Sequence, residues 1–305
     1  MTKKTDEKHK GMRIKDVGAT INLGNYSSLH ITIGEEAEFA GLDLGRAETY
    51  LRKIAKSVDG ILNLPEREEK PQQQKPRTAH PTTGGVAMKD YAGNLVIYDN
   101  NNHAYYNANY NRYDSVTQVV GEFYPFNSEG VIAQEYMDFA ANFGNLIHSS
   151  IQNALIGKAP KKALVKKVVD KTLKAMNFNS DTQKVAVEQI LVDHANELAG
   201  RFDILTTEDG KTTLWDVKTN ANLYAKAECN LPDELKKEFG EYWNTETVYG
   251  EHCLQLNIYA DILERVYDTK IDEIKIIHIP DDFNEIVDVP KIDISKIYWV
   301  YNSRR

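Results

Sequence analysis

The sequence predicts an α/β protein in which helices pack against a mixed central sheet. Apolar residues recur at helical spacing over residues 131–155 and 251–267. The stretch between them, 181–219, is rich in β-branched residues and contains turn signals, and a further strand is predicted at 272–281. The predicted order is therefore helix, three strands, helix and strand, which is typical of helices covering one sheet.

Bulk composition narrows the class of protein. The chain has 305 residues, of which 27% are charged and 41% hydrophobic, as in ordinary globular proteins. No stretch is apolar enough to span a bilayer and the start lacks a signal-peptide core, so we expect no membrane partner and a cytoplasmic location. The two cysteines, Cys229 and Cys253, cannot supply a four-cysteine site, so no iron–sulfur cluster is expected.

The chain is predicted to have three parts. Residues 1–63 are expected to form a small ββα-like module, with strand-like runs over 12–33 and an amphipathic helix over 43–63. Residues 64–85 are dominated by proline, glutamine and charge, which predicts a disordered linker. Residues 86–305 form the remaining domain.

Tyrosine and asparagine crowd residues 99–113, beside a short predicted strand at 95–98. This composition favours a surface hairpin with exposed tyrosines, and the alternative is a surface on which nucleic-acid bases stack. Ser115 follows and is predicted to cap a short helix.

The most informative stretch is 197–219, where an Asp-Gly turn signal between two β-rich runs predicts a hairpin. The first strand carries Asp203. The second carries Asp216 and Lys218, which lie two residues apart and therefore on one face, while Trp215 points into a core. By itself this pattern also fits a solvated sheet face with one ion pair.

The segments that flank this hairpin have weaker periodicity. Residues 181–193 fit a strand or a helix, and we favour the strand because a hairpin after it leads directly into the strand of Asp203. Glu188 then lies on the neighbouring strand. A long polar insertion is expected at 220–249, and a final short strand at 297–300.

Four short motifs in this order resemble those of the PD-(D/E)xK nuclease superfamily, in its RecB-like branch of phage-type exonucleases. The resemblance spans about residues 100–281 and implies a restriction-endonuclease-like αβββαβ core. The motifs Gly-x-x-x-His, Gly-x-x-Asp, Asp-x-Lys and Gln-x-x-x-Tyr correspond here to Gly144–His148, Gly200–Asp203, Asp216–Lys218 and Gln255–Tyr259.

The resemblance implies a role for each motif residue. Phosphodiester hydrolysis requires charge neutralisation and an activated water, which Mg²⁺ or Mn²⁺ can provide when bound by oxygen and imidazole ligands. Lys218 would orient or help deprotonate the attacking water and offset phosphate charge, and orientation is favoured because neighbouring carboxylates favour the charged amine. Gln255 and Tyr259 share a helical face and would orient Lys218 or contact the DNA backbone. The implied metal ligands are His148, Asp203, Asp216 and the backbone carbonyl of Val217. The implied catalytic residues are Asp203, Asp216, Lys218, Gln255, Tyr259 and Glu188.

A basic segment at 158–174 is the candidate surface for nucleic acid, although the whole chain carries a net charge of −8. Helical spacing over 160–176 gives it an apolar stripe, so a solvated amphipathic helix is the alternative. The candidate nucleic-acid-binding residues are Lys161, Lys162, Lys166, Lys167 and Tyr259.

The expected function is that of a metal-dependent DNA nuclease. An exonuclease is preferred because the RecB-like branch is rich in end-processing enzymes, which is an argument from family and not from geometry. A structure-specific or nicking endonuclease, and a non-catalytic DNA-binding or virion-associated protein with a nuclease fold, are the alternatives. DNA is the expected partner, with phage replication or recombination proteins beside it in the host cytoplasm.

Overall fold

The computed structural model describes eight stretches of the chain, which are residues 17–22, 28–33, 85–125, 134–158, 160, 163–220, 222–280 and 285–304. The helix predicted over 43–63, the linker up to residue 84, and Lys161 and Lys162 lie outside them. Within these stretches, no helix combines the length and apolarity needed to cross a bilayer.

The described residues contain eleven strands and six helices. The strands are β1 (Val17–Asn22), β2 (Ser28–Ile33), β3 (Gly85–Lys89), β4 (Leu95–Asp99), β5 (Ala104–Tyr106), β6 (Arg112–Ser115), β7 (Lys184–Asp193), β8 (Leu198–Glu208), β9 (Lys211–Lys218), β10 (Glu273–His278) and β11 (Glu285–Val289). The helices are α1 (Val116–Phe123), α2 (Gln134–Leu155), α3 (Ala163–Ala175), α4 (Asp233–Phe239), α5 (Val248–Tyr267) and α6 (Ser295–Arg304).

Nine of the described strands form one mixed sheet in the order β11-β10-β9-β8-β6-β5-β4-β3, with β7 also paired to β8. The pairs β9–β10 and β6–β8 are parallel, and the others are antiparallel. The predicted α/β class is therefore confirmed, with a sheet that is mostly antiparallel. The predicted succession of elements is found as α2, β7, β8, β9, α5 and β10. α3 corresponds to the helical spacing predicted over 160–176, and α4 is an addition.

Strand β8 is the centre of this arrangement because one of its edges is shared by two strands. β7 pairs along nearly its whole length, while on the other edge Leu198 and Ala199 pair with β6 and residues 204–208 pair with β9. Residues 200–203 therefore have no described strand beside them on that edge. This gap is where the candidate site forms.

Local signals explain the hairpins around β8. Asp209 and Gly210 both have positive φ angles, 49° and 80°, which is the backbone of a two-residue type I′ turn. The hairpin predicted over 197–219 is therefore confirmed, and the strand interpretation of residues 181–193 is also correct. β1 and β2 lie within the strand-like runs predicted over 12–33, and they pair antiparallel in a separate two-stranded sheet. The division of the chain into three parts stays a prediction, although β3 begins at Gly85, which the linker was expected to include.

Helices cover both faces of the sheet. On one face, α1 and α5 pack on residues such as Phe202, Leu205 and Leu214. On the other face, α2 and α3 pack on Ile204 and on Trp215, which is buried as predicted. Phe202 and Ile204 pack on opposite faces of the sheet, although residues two apart in a strand usually share a face. The regular alternation of β8 is therefore interrupted at Asp203.

Three sequence predictions are wrong because tertiary burial overrides local pattern. Segment 220–249 is not a polar insertion, since it contains α4 and buries Leu231 and Phe239 in the core. Residues 297–300, predicted as a strand, are helical. A short apolar run fits a strand or a helix, and here the helix buries Ile297 and Tyr301, which lie one turn apart. The prediction that the tyrosines of the hairpin region are exposed holds for Tyr110 and is wrong for the four strand tyrosines, which are buried, namely Tyr98, Tyr105, Tyr106 and Tyr113.

Candidate active site

A cleft of about 780 Å³ opens above the gap in β8. Its wall includes five of the residues that the sequence predicted for the site, namely His148, Glu188, Asp203, Gln255 and Tyr259. Asp216 and Lys218 adjoin it on β9, where their side chains are 6% and 13% exposed. The structure thus brings together seven candidate residues from α2, β7, β8, β9 and α5.

Asp203 is held where β8 and β9 separate. The last residues paired between the two strands are Ile204 and Trp215, and beyond them Oδ2 of Asp203 accepts the backbone N–H of Val217 at 2.9 Å. The carboxylate therefore replaces a backbone acceptor in the ladder. This explains why an acidic residue can stand inside a sheet without leaving the neighbouring N–H unsatisfied.

His148 reaches the same oxygen from the helix above. Its Nδ1 lies 3.2 Å from Oδ2 of Asp203. The neighbouring residues Ile147 and Ile151 are buried against the sheet and fix this part of α2 over β8. Burial alone would lower the pKa of His148, but the Asp203 carboxylate beside it raises that pKa above its usual value.

Asp216 and Lys218 form a buried ion pair on β9, the strand next to the one that carries Asp203. Nζ of Lys218 lies 2.8 Å from Oδ2 of Asp216 and donates a hydrogen bond to Oε1 of Gln255 at 3.2 Å. This contact matches one of the two roles expected for Gln255, that of orienting Lys218. Burial would lower the pKa of Lys218, but the carboxylates of Asp216 and Asp203 raise it, so the amine stays protonated at neutral pH.

The two aspartates differ in their tendency to ionise. Burial opposes ionisation of both, but His148 and Lys218 lower the pKa of Asp203 to about 2. Burial raises the pKa of Asp216 to about 6; the nearby Lys218 opposes this rise, and the charge of Asp203 adds to it. Two neighbouring buried carboxylates therefore compete for one ammonium group, and an added cation would relieve that conflict.

Tyr259 explains the glycine of the Gly-x-x-Asp motif. A Cβ atom on Gly200 would lie 2.6 Å from Cε1 of Tyr259 and 2.9 Å from Cγ2 of Val116. Both distances are too short for real contacts, so only glycine lets α1 and α5 approach β8 this closely. Tyr259 lines the cleft while almost wholly buried, and burial raises its pKa, so its hydroxyl stays protonated.

Glu188 stands at a strained position on the cleft wall. Its φ angle is 52°, which is unusual for a non-glycine residue within a strand, and the pairing register of β7 with β8 omits it. Its carboxylate accepts the side-chain amide of Gln152 and lies 2.6 Å from Nε of Arg201. Burial raises the pKa of Glu188, and the charge of Asp203 adds to this.

The donor types at the centre of the site are those that a divalent cation accepts, namely two carboxylates and an imidazole. Their present contacts, however, are with each other and with Lys218. Among the described residues, no three His, Cys, Asp or Glu side chains form a group that could hold a metal ion as they stand.

The lysine segment lies elsewhere. Lys166 and Lys167 are exposed on α3 and are not among the residues that line the cleft. Lys166 forms an ion pair with Asp170 one turn away. Binding of nucleic acid by these lysines stays a prediction.

The cleft also contains residues that sequence reasoning missed. Arg201 stands inside the Gly200–Asp203 motif, and its position two residues before Asp203 was a usable signal. Arg112 had no such signal, because only the pairing of β6 with β8 brings it to the site. Tyr98 and Tyr105 also line the wall, with little ring surface exposed.

Comparison with known proteins adds little. No protein-family model matches the chain, and no curated protein matches it. A solved structure described as "Crystal structure of SSO0001" is similar over 62% of this chain and 73% of its own, with 16% sequence identity and a TM-score of 0.33. A likeness at this level supports no functional argument, so the geometry of the site must carry one.

Proposed function

We propose that the protein is a metal-dependent deoxyribonuclease that hydrolyses phosphodiester bonds, with a restriction-endonuclease-like core. The observation that carries this proposal is the position of Asp203. One carboxylate oxygen gathers the imidazole of His148 and the N–H of Val217 in a gap of the sheet, beside the buried pair of Asp216 and Lys218 and at the foot of a cleft.

A Mg²⁺ or Mn²⁺ ion would be held by His148, Asp203, Asp216 and the carbonyl of Val217. When bound, it would polarise the phosphate and make a coordinated water more acidic. The two carboxylates supply the hard oxygen donors that these ions prefer, and the imidazole suits Mn²⁺ in particular.

Lys218 acts through its charge. Since its pKa is raised, it cannot accept a proton near neutral pH, so a role as general base is disfavoured. Its ammonium group instead donates hydrogen bonds to the attacking water and offsets charge on the phosphate. Oε1 of Gln255 accepts a hydrogen bond from one N–H of this group and thereby limits the directions in which the other N–H groups can point.

Tyr259 and Gln255 belong to one face of α5 and close the cleft on that side. Because the hydroxyl of Tyr259 stays protonated, it is a donor for a phosphate oxygen of the bound strand. The cleft volume lies within the range of sites that hold small ligands or part of a larger one.

Exonuclease activity is preferred over endonuclease activity on the family resemblance alone. Purified protein should degrade DNA with Mg²⁺ or Mn²⁺, and Asp216→Ala or Lys218→Ala should abolish this while the protein stays folded by circular dichroism. Asp288→Ala, whose side chain is exposed on β11, is the matched control. Metal-dependent activity that persists in both site variants would overturn the proposal.

Labelled substrates separate the kinds of nuclease. Linear DNA labelled at the 5′ or the 3′ end should release short labelled products from one end, and circular DNA should resist. Cleavage of the circle would favour the structure-specific or nicking endonuclease.

A second candidate is a DNA-binding protein without hydrolytic activity. It is favoured by the contacts between His148 and Asp203 and between Lys218 and Asp216, which satisfy these side chains within the protein. Tight DNA binding together with no hydrolysis at any Mn²⁺ concentration would select it.

A further inference from the structure

Two arginines reach the cleft, and the proposed hydrolysis uses neither of them. Arg112 is the first residue of β6, and Arg201 lies in the part of β8 that has no strand beside it on one edge. Both side chains line the cleft together with Asp203. A cleft that brings a phosphodiester close to carboxylates needs cations on another part of its wall.

Arg112 has a hydrogen-bonding group that the described residues leave unused. Its Nε atom is buried and has no hydrogen-bond partner among them. A guanidinium group has only donors and stays charged at any physiological pH. Nε is closed off from solvent, but the side chain as a whole is half-buried and lines the cleft, so an anion there would meet the rest of the guanidinium group.

Arg201 is oriented by its neighbours. Its Nε lies 2.6 Å from Oε2 of Glu188, and its guanidinium carbon lies 5.8 Å from the centre of the Tyr98 ring. Glu188 is itself held by the amide of Gln152. This ion pair uses Nε, so the two terminal nitrogens remain to form the paired contacts that arginine makes with phosphate.

We propose that Arg112 and Arg201 form a phosphate-binding subsite, which holds a phosphate group of a nucleic-acid strand beside the candidate catalytic residues. The inference rests on the proposed nuclease function and specifies how its substrate is held. The N-terminus of α1 nearby is not part of the subsite, because Ser115 and Gln118 already cap each other's backbone N–H groups.

The phosphate could be a terminal monoester or an internal diester, since both offer the same oxygens. The probes are two single-stranded oligonucleotides with a 3′ fluorescein, one with a 5′-phosphate and one with a 5′-hydroxyl. Anisotropy with the full chain in EDTA measures binding without hydrolysis. The variants are Arg112→Gln, the pair Arg201→Gln with Glu188→Gln, and Arg304→Gln as the control, since Arg304 lies against Phe123 outside the cleft lining.

We expect the first two variants to raise Kd about tenfold or more, as the loss of charged hydrogen bonds predicts, and the control to bind as the wild type does. If the variants bind both oligonucleotides more weakly, the subsite holds an internal phosphate. If they bind only the 5′-phosphorylated oligonucleotide more weakly, it holds a terminal phosphate. Variants that bind as tightly as the control, or a wild-type protein that binds neither oligonucleotide, would overturn the subsite.

Arg112→Lys distinguishes a loss of phosphate contacts from a loss of folding, because it keeps the positive charge and the aliphatic part of the side chain but lacks the planar guanidinium group. It is expected to weaken binding by about threefold to tenfold. Because the assay contains no divalent metal, a protein that binds through the arginines but never hydrolyses DNA would contradict the nuclease proposal alone.

Discussion

Nδ1 of His148 lies 3.2 Å from Oδ2 of Asp203. This contact joins α2 to residues 200–203 of β8, which lie between the stretch that pairs with β6 and the stretch that pairs with β9. That oxygen also accepts the N–H of Val217. A single carboxylate therefore ties α2, β8 and β9 together at the foot of the cleft. Changes at this point test both the architecture and the chemistry.

Replacing His148 tests its role as a metal ligand. We expect His148→Ala to reduce Mn²⁺-dependent DNA hydrolysis by about a hundredfold and to raise the Mn²⁺ concentration needed for half-maximal rate, because the ion would have one ligand fewer. Initial rates with end-labelled DNA at a series of Mn²⁺ concentrations measure both effects. His194→Ala is the matched control, since that ring contacts Tyr113 and does not line the cleft. Equal Mn²⁺ dependence in the two variants would remove His148 from the ligand set.

Gly200 tests the packing that positions Tyr259. A Cβ at Gly200 would collide with Tyr259 and Val116, so Gly200→Ala should lower the free energy of unfolding by about 1–3 kcal/mol and reduce activity. Gly121→Ala is the control, because nothing lies within 4 Å of a Cβ there and the helix α1 gains a better helix former. Urea unfolding measures both, and a Gly200→Ala protein as stable as the Gly121→Ala protein would refute the close approach.

Asp216 should couple stability to pH in metal-free protein. Burial raises its pKa from the ordinary 3.8 to about 6, so the folded chain holds this proton more tightly than the unfolded chain. Its contribution to the free energy of unfolding is therefore full below about pH 4 and is lost as the pH rises to about 6.

Asp216→Asn cannot ionise, so its stability relative to wild type should rise by on the order of 1–3 kcal/mol between pH 4 and pH 6.5. Urea unfolding in EDTA at several pH values measures this change. A stability difference between variant and wild type that does not depend on pH would show that the raised pKa is wrong.

The lysines of the basic segment test whether DNA is also held outside the cleft. Replacing Lys161, Lys162, Lys166 and Lys167 by glutamine should weaken DNA binding and flatten its salt dependence, by a slope of roughly one for each phosphate that a lysine no longer neutralises. Fluorescence anisotropy over a range of NaCl concentrations measures the slope. An unchanged slope would restore the interpretation of this surface as the solvated side of α3.

Sequence patterns predicted those elements whose signal is local. The β7 strand, the turn at Asp209-Gly210 and the cap at Ser115 all depend on neighbouring residues, and each is found. The predictions for 220–249 and 297–300 are wrong because short apolar runs take the state that lets them be buried, and burial is decided by distant partners.

By itself, the sequence determined the α/β class, the hairpin that carries Asp203, Asp216 and Lys218, and the candidate residues on the flanking helices, because spacing along one element sets which side chains share a face. Only the tertiary structure decided that β6 and β9 divide one edge of β8 between them. That division opens the gap for Asp203, brings Arg112 to the cleft and places Gln255 against Lys218. Contacts between residues so far apart in the chain depend on how the sheet assembles, and no local pattern encodes them.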